Sequence, residues 1–140
     1  MTKLLDSSIC IDLIRGRAAA ANQRFLEDRR AGEVLVLSSI VLLELWYGAY
    51  NSPRPELHAQ RLRDFLGHGL PVSAFDARAA EEAGRIRAGM RAQGQMIGTL
   101  DILIAAQAIV GDMILVTGNL KDFRRIPALK LESWAGPQSE

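Results

Sequence analysis

Apolar segments alternate with longer amphipathic stretches along this chain, and the alternation predicts short strands separated by helices. The clearest strand is Val34–Leu37, a continuous apolar run of the kind found in sheets buried on both faces. A run that ends just before Asp6 is another candidate. The full set of predicted strands is Lys3–Leu5, Val34–Leu37, Pro71–Phe75, Met113–Thr117 and Lys130–Glu132.

Helix-start signals lie between these strands, at Asp6-Ser7-Ser8, Ser38-Ser39 and Asp76. The predicted helices span residues 9–15, 18–30, 39–50, 56–66, 77–92 and 98–110, and residues 118–123 read as a loop. Strands that alternate with helices in this way predict an α/β fold with a mostly parallel sheet covered by helices on both faces. We expect one domain over residues 1–135 and a disordered tail over residues 136–140.

Composition narrows the class of protein. The chain has 140 residues, of which 49% are hydrophobic, so we expect a folded core and not a disordered chain. Its net charge of +1 gives no global attraction to nucleic acid. The only cysteine, Cys10, excludes an intramolecular disulfide and suits a reducing cytosol. No apolar run reaches membrane-spanning length, so we predict a cytoplasmic protein that does not bind membranes.

Three carboxylates stand in apolar surroundings. Asp6 follows Leu4-Leu5, Glu44 interrupts the run from residue 41 to 46, and Asp101 precedes the run from 102 to 106. A buried charge is costly unless it is paired, hydrogen-bonded or bound to a cation, and no basic residue lies within a helical turn of Glu44 or Asp101. If the fold brings the three together, a hard divalent cation such as Mg²⁺ explains them best.

The predicted topology offers such a meeting point. In open α/β sheets, ligands bind outside the carboxyl ends of the strands, where the strand order reverses. Asp6 ends the first strand, and Asn119 and Asp122 follow the strand that ends at Thr117. Glu44 and Asp101 lie on helices that could face the same crevice, in which metal-held carboxylates would serve to hydrolyse a phosphodiester.

Each of these side chains also has a structural interpretation. Asp6 could simply cap the first helix, and Asp101 could meet the positive end of a helix dipole. Glu44 could be a structural acid paired with an Arg. Asn119 and Asp122 could do no more than order their loop. The sequence leaves these alternatives open.

Several motifs, in order along the chain, resemble those of PIN-domain ribonucleases, and most closely the VapC-type toxins of toxin–antitoxin pairs. The resemblance spans nearly the whole chain and rests on the ordered set more than on any single motif. The motifs are Leu4-Leu5-Asp6-Ser7-Ser8, Leu37-Ser38-Ser39-Ile40, Leu43-Glu44-Leu45-Trp46-Tyr47-Gly48, Ile97-Gly98-Thr99-Leu100-Asp101-Ile102-Leu103-Ile104-Ala105-Ala106 and Leu115-Val116-Thr117-Gly118-Asn119-Leu120-Lys121-Asp122-Phe123.

The resemblance implies a three-layer α/β/α PIN-like domain with about five strands. It also implies an endoribonuclease that depends on Mg²⁺, or on Mn²⁺ in its place, is usually a homodimer and is inhibited by a cognate antitoxin. DNA would be contacted only indirectly, through that antitoxin. Asp6, Glu44, Asp101, Asn119 and Asp122 match the catalytic positions, with Asp6 and Asp101 as expected metal ligands.

The chain departs from the family pattern at two places. Ser8 stands where an Asn is usual and Val41 where a Thr is usual, although Ser7 keeps the hydroxyl that follows the first acid. Neither departure removes an acid. Both bear on how the substrate is positioned.

Two other classes of function compete with the ribonuclease interpretation. A receiver domain also gathers acids at strand ends, but it expects adjacent acids after its first strand, where only Asp6 stands here. A catalytically silent α/β binding module would differ only in activity. The aromatic residues Trp46, Tyr47 and Tyr50 fit either core packing or a protein interface.

Overall fold

A five-stranded sheet in which every pairing is parallel organises the part of the chain that the computed structural model describes, residues 1–135. The strands lie in the order β3-β2-β1-β4-β5. They are β1 (Thr2–Leu5), β2 (Val34–Ser38), β3 (Val72–Ser73), β4 (Ile114–Val116) and β5 (Lys130–Glu132). The sheet confirms the predicted five-stranded parallel arrangement. The predicted tail, residues 136–140, lies outside the described residues.

Helices connect these strands and complete the three-layer α/β/α architecture. Within residues 1–135 there are seven of them: α1 (Ser7–Arg15), α2 (Ala19–Arg30), α3 (Ser39–Tyr50), α4 (Pro55–Leu66), α5 (Ala77–Ala92), α6 (Thr99–Val110) and α7 (Leu120–Phe123). None of the helices in this part of the chain is long and apolar enough to cross a membrane.

The predicted helix-start signals act as caps. Asp6 caps α1, Ser38 caps α3 and Asp76 caps α5, and each accepts hydrogen bonds from backbone N–H groups that the first turn leaves free. Gly16 ends α1 with a φ of 67°, a left-handed conformation that a residue without Cβ adopts at little cost. Local polar residues therefore set the bounds of the helices that flank the sheet.

The central strand of the sheet, β1, and its neighbour β4 lie in the core. Leu4 and Leu5 of β1 and Leu115 of β4 are fully buried, as expected for strands covered on both faces. Cys10 is also fully buried, and burial raises the pKa of its thiol. This agrees with an inert core thiol.

Two sequence predictions need correction. The segment 118–123 is not all loop, because residues 120–123 form α7, whose Phe123 is fully buried and closes the turn against the core. The strand predicted over residues 71–75 is shorter in the structure and spans only Val72–Ser73. Pro71 has no N–H to donate to the sheet, and the N–H of Phe75 bonds to the Ser39 hydroxyl at 3.1 Å instead.

A buried ion-pair network that the sequence did not suggest ties β1 to α2 and β5. The Lys3 ammonium lies 2.8 Å from Asp28 and 3.0 Å from Glu132. Glu132 also accepts hydrogen bonds from Arg24 at 2.8 Å and from the Trp134 indole at 2.7 Å. The network pairs each buried charge with a partner, which is the condition for burying it.

A second buried polar group joins the elements that lie around the carboxyl edge of the sheet. Gln107 of α6 is 3% exposed, accepts a hydrogen bond from the Ser38 hydroxyl and donates one to the Ser73 carbonyl at 3.1 Å. Ser38 is also the cap of α3. Gln107 therefore fixes the helix that carries Asp101 against the start of the helix that carries Glu44.

Candidate active site

The strand order reverses between β1 and β4. The chain builds β1, β2 and β3 outward in one direction and then returns to place β4 on the other side of β1. Asp6 follows β1, and its N–H bonds to the Val116 carbonyl of β4 at 2.9 Å. This switch point is the position at which open α/β sheets bind ligands. The order 3-2-1-4-5 also differs from the 2-1-3-4-5 order of receiver domains, which removes that alternative.

Asp6 is both a helix cap and a member of the site. It is 4% exposed, and its Oδ1 accepts from the Ser7 N–H at 2.8 Å. Its Oδ2 accepts from the Thr117 hydroxyl at 2.6 Å and, at 3.4 Å, from the Ser8 hydroxyl. These hydrogen bonds fix the carboxylate in one orientation at the bottom of the crevice.

Two hydroxyls connect Asp6 to the loop after β4. The Thr117 hydroxyl accepts from the Asn119 N–H at 2.9 Å, and the Ser8 hydroxyl accepts from the Gly118 N–H at 3.1 Å. Ser8, a departure from the family pattern, thus supports the loop that carries Asn119. The family resemblance implies a hydroxyl beside the site at Thr117, whereas nothing in the sequence indicated that the Ser8 hydroxyl would bond to the loop after β4.

Glu44 reaches the same site from the second turn of α3. Its Oε1 is buried and has no hydrogen-bond partner, and it forms no ion pair with any of residues 1–135. Burial raises the pKa of Glu44 against the lowering effect of the Ser7 hydroxyl, and the charges of Asp6 and Asp101 raise it further. The alternative of a structural acid paired with an Arg is therefore wrong.

Asp101 lies in the first turn of α6, where the helix dipole favours a negative charge. Burial, together with the charges of Asp6 and Asp122, nevertheless raises the pKa of Asp101 to about 6. Asp101 therefore lies near both Asp6, which follows β1, and Asp122, which follows β4. Glu44 is therefore close enough to Asp6 and Asp101, and Asp101 to Asp6 and Asp122, for their negative charges to repel.

The side chains of Asn119 and Asp122 are hydrogen-bonded to each other at the start of α7. The Asn119 amide donates to Asp122 Oδ2 at 3.2 Å, and both side chains are half-buried. They order the loop, as one interpretation held, but the charge of Asp122 also reaches Asp101. The five residues predicted for the site are therefore linked. The charges of Asp6 and Asp122 act on Asp101, those of Asp6 and Asp101 act on Glu44, and Asn119 is hydrogen-bonded to Asp122.

The donor set of the site suits a hard cation. Its ligand atoms are oxygens, and one of them, Oε1 of Glu44, is buried without a partner. Burial, and after it the neighbouring negative charges, raise the pKa values of Glu44 and Asp101. Among residues 1–135, no three side chains of His, Cys, Asp or Glu are arranged to hold a metal ion between them. Mg²⁺ commonly uses only one or two carboxylates and keeps several waters, so the two predicted ligands, Asp6 and Asp101, fit its needs.

Comparison with known proteins agrees with this geometry. The sequence profile of the PIN domain matches residues 3–129. The chain is 36% identical to a tRNA(fMet)-specific endonuclease VapC from Shigella flexneri, over 94% of this chain and 97% of that one. This chain is a VapC-type member of the PIN-domain family. It is also 39% identical to ribonuclease VapC2 from Haemophilus influenzae, over 94% of this chain and 96% of the relative.

The fold of a solved VapC complex matches as well. The crystal structure of VapBC2 from Rickettsia felis, bound to a DNA fragment from its promoter, superposes with a TM-score of 0.89 at 34% identity. The match covers 96% of this chain and 99% of that one. The PIN-like domain expected from the sequence is therefore confirmed for this VapC-type chain.

The acid cluster predicts an unusual response to loss of a charge. In EDTA at pH 7 we expect Glu44→Gln to melt about 3 °C higher than the wild type, because removing one of several like charges relieves about 1 kcal/mol after screening by solvent. Added Mg²⁺ should raise the wild-type melting temperature more than that of the variant. Thermal melts followed by circular dichroism measure both effects.

The pH dependence of this difference serves as its control. Because the pKa values of Glu44 and Asp101 are raised in the folded state, the folded metal-free protein keeps protons that the unfolded chain releases. The contribution of these two acids to the stability is therefore highest at low pH and falls as pH rises from about 4 through about 6. The advantage of Glu44→Gln should disappear near pH 4. A variant that melts below the wild type in EDTA at pH 7 would remove Glu44 from the shared crevice.

We predict that substitutions of Asn119 and Asp122 reduce RNA cleavage by different factors and that the two effects are not independent. Asn119 follows β4 more closely, so Asn119→Ala should reduce RNA cleavage about tenfold, and Asp122→Ala by less, because it removes only the group that orients Asn119. The double variant should lose less than the product of the two single losses. Initial rates of cleavage measure all three, and the opposite order would give the fourth catalytic position to Asp122.

Proposed function

We propose that this VapC-type protein is an endoribonuclease that requires Mg²⁺ or Mn²⁺ and acts as the toxin of a toxin–antitoxin pair. The observation that carries the proposal is the convergence of Asp6, Glu44, Asp101 and Asp122 at the switch point of the sheet. Such a cluster is costly unless a cation compensates it. Ribonuclease activity in the relatives supports the choice of substrate class.

In this mechanism Asp6 and Asp101 would hold the metal ion. When bound, a divalent ion supplies an activated water and stabilises the charge on the phosphoryl oxygens of the RNA. Thr117, Ser7 and Ser8 keep the Asp6 carboxylate in place, so little reorganisation is needed. Glu44, one of whose carboxylate oxygens is buried without a partner, would add to the negative charge that the cation compensates.

Asn119 contributes a polar group without a further charge. Its amide donates to Asp122, which leaves its carbonyl oxygen as an acceptor beside the acids. A fifth carboxylate at this position would add to a repulsion that already raises the pKa of Asp101. An amide here therefore orients water or substrate while keeping the net charge of the cluster lower.

The test is cleavage of RNA by the purified protein freed of any partner. We expect endonucleolytic products with Mg²⁺ or Mn²⁺, and none in EDTA. A catalytically silent binding module, the remaining alternative, gives no products in any metal. Products that form equally in EDTA would rule out the proposed chemistry.

The proposal includes a cognate antitoxin. Similar solved structures are VapBC complexes, among them those of Rickettsia felis and Salmonella typhimurium, both bound to DNA. We propose that this chain likewise forms a complex with a small antitoxin protein and contacts DNA only through it. Loss of RNA cleavage on addition of the antitoxin, and its return when the antitoxin is degraded, would support this pairing.

A homodimer is proposed from an exposed apolar stripe on α3. Leu43, Tyr47 and Tyr50 are 54%, 66% and 61% exposed and lie at helical spacing on one face. The core-packing interpretation is therefore wrong for both tyrosines, although Trp46 is half-buried and stacks on Tyr50 at 5.5 Å. Light scattering should give twice the chain mass for the wild type and a monomer for Tyr47→Glu. A monomeric wild type at all concentrations would contradict the dimer.

A further inference from the structure

Three exposed basic side chains, Lys121, Arg124 and Arg125, lie on one side of the segment that carries Asp122. The helical course of α7 continues past its last residue. The Arg124 N–H bonds to the Leu120 carbonyl at 2.9 Å, and the Arg125 N–H bonds to the Asp122 carbonyl at 3.2 Å. Residues three and four apart on a helix are neighbours, so the three cations share one side, which we call the α7 basic face.

The opposite side of this segment packs against the core. Phe123 is fully buried and Ile126 is 3% exposed, so the α7 basic face is turned towards solvent. None of its three cations forms an ion pair with any of residues 1–135, whereas Lys3, Arg24 and Arg85 are paired with acids. The positive charge of the α7 basic face is therefore not compensated within the described part of the chain.

Hydrogen bonds fix this segment relative to the catalytic acids. The Asp6 carboxylate accepts from the Thr117 hydroxyl at 2.6 Å, and that hydroxyl accepts from the Asn119 N–H at 2.9 Å. The Asn119 amide donates to Asp122 at 3.2 Å. Burial and the charges of Asp6 and Asp122 raise the pKa of Asp101, so Asp122 is near that acid. Every member of the α7 basic face lies within one helical turn of Asp122, a rise of about 5 Å, and the face therefore borders the acid cluster.

We propose that the α7 basic face binds the backbone phosphates of the RNA strand that flank the bond cut at the acid cluster. The proposal rests on the ribonuclease function proposed above and assigns the substrate a contact surface outside the metal site. Proteins that bind single strands commonly follow the backbone with basic surfaces of this kind. Phosphate contacts position a strand and carry no sequence information directly, so this surface binds RNA of any sequence.

Charge favours RNA as the occupant. The chain has a net charge of only +1, so its overall field does not draw RNA to the edge of the sheet where Asp6, Glu44 and Asp101 repel phosphates. Cations that border these acids offset the repulsion for a strand that approaches them. Guanidinium groups suit phosphate oxygens because their donors match them in pairs. An acidic segment of a partner protein is the competing occupant, and the test below distinguishes it.

Arg30 provides a matched control for the arginines of the α7 basic face. It is exposed and forms no ion pair with any of residues 1–135. As the last residue of α2 it lies shortly before β2 begins, whereas Asp6 and Asp122 follow the ends of β1 and β4. The strands are parallel, so Arg30 lies towards the edge of the sheet opposite to the acids. Arg125→Lys is a second control, because it keeps the charge.

The experiment measures the Kd of a fluorescent, randomised single-stranded RNA dodecamer by anisotropy in EDTA, at several salt concentrations and with no cleavage required. Each phosphate contact on a single strand contributes about 0.7 to the slope of log Kd against log salt. We expect Arg125→Gln to reduce this slope by about 0.7. The double variant Arg124→Gln with Arg125→Gln should reduce it by about 1.4 and raise Kd about tenfold at physiological salt. Arg30→Gln and Arg125→Lys should leave the slope unaltered.

A double variant with the wild-type slope and Kd would overturn the proposal. If that variant instead loses affinity for the antitoxin, the α7 basic face binds the partner protein and not RNA. Failure of the proposed function is a separate result. A wild type that does not cleave RNA in Mg²⁺, but whose salt slope falls in the double variant, would remove the catalytic function and keep the RNA-binding surface. A cleaving enzyme whose double variant keeps the wild-type slope would remove only the surface.

Discussion

We expect Asp101→Asn to cleave RNA about a thousandfold more slowly than the wild type at saturating Mg²⁺, and Asp6→Asn to lose at least as much. Each substitution keeps the shape of the side chain and removes a charged oxygen ligand. Asp6 should be the more sensitive position, because its carboxylate also accepts hydrogen bonds from Ser7 and Thr117 that an amide cannot fully reproduce. Single-turnover rates at several Mg²⁺ concentrations measure both losses.

Asp112→Asn is the matched control for these two variants. Asp112 is an exposed acid at the other end of α6, where it pairs with Lys130 at 2.8 Å before β4 begins. Its replacement should leave the cleavage rate unchanged. Activity that persists undiminished in Asp6→Asn and Asp101→Asn would locate the chemistry elsewhere or indicate a contaminating nuclease.

The largest expected effect on stability lies in the buried ion-pair network behind the site. Lys3→Met should lower the free energy of unfolding by about 3 kcal/mol, because it leaves Asp28 and part of Glu132 buried without their cation. The double variant Lys3→Met with Asp28→Asn should recover part of this loss, since the orphaned charge is then gone. Urea unfolding measures the change.

The pH dependence of the network has the opposite sign from that of the acid cluster. Burial alone would raise the pKa of Glu132, but the hydrogen bonds of Trp134 and Lys3 and the charges of Lys3 and Arg24 hold it below its usual value. A lowered folded-state pKa gives stability that is present above the unfolded value and is lost as pH falls below about 4.5. Lys3→Met should flatten this loss at low pH. An equally stable Lys3→Met variant would show that the network contributes little.

Much of the architecture followed from local features of the sequence. The caps at Asp6, Ser38 and Asp76 fixed where helices begin, and α5 and β5 have the bounds predicted for them. The acids could be placed at one crevice because the end of a parallel strand is a defined edge of the sheet. The sequence could therefore predict that these acids lie at one edge of the sheet.

Other features depend on contacts between distant residues, which no local pattern records. Lys3 meets Asp28 and Glu132 only because the fold brings side chains of β1, α2 and β5 together, although β4 lies between β1 and β5 in the sheet. A cavity beside Glu44 exists because α1, α3 and α4 do not close against one another there. Residues 120–123 form a helix because Phe123 turns into the core, a tertiary effect on a segment with loop-like composition.

Titration of the metal-free protein with Mn²⁺, followed by the loss of the free-ion paramagnetic resonance signal, tests the central claim most directly. The account predicts saturable binding by the wild type, strong weakening in Asp6→Asn and Asp101→Asn, and no change in Asp112→Asn. Mg²⁺ should compete for the same site, since both ions prefer oxygen ligands. A wild type that binds no Mn²⁺, or variants that bind it as tightly as the wild type, would contradict the claim that these acids form a metal-dependent catalytic centre.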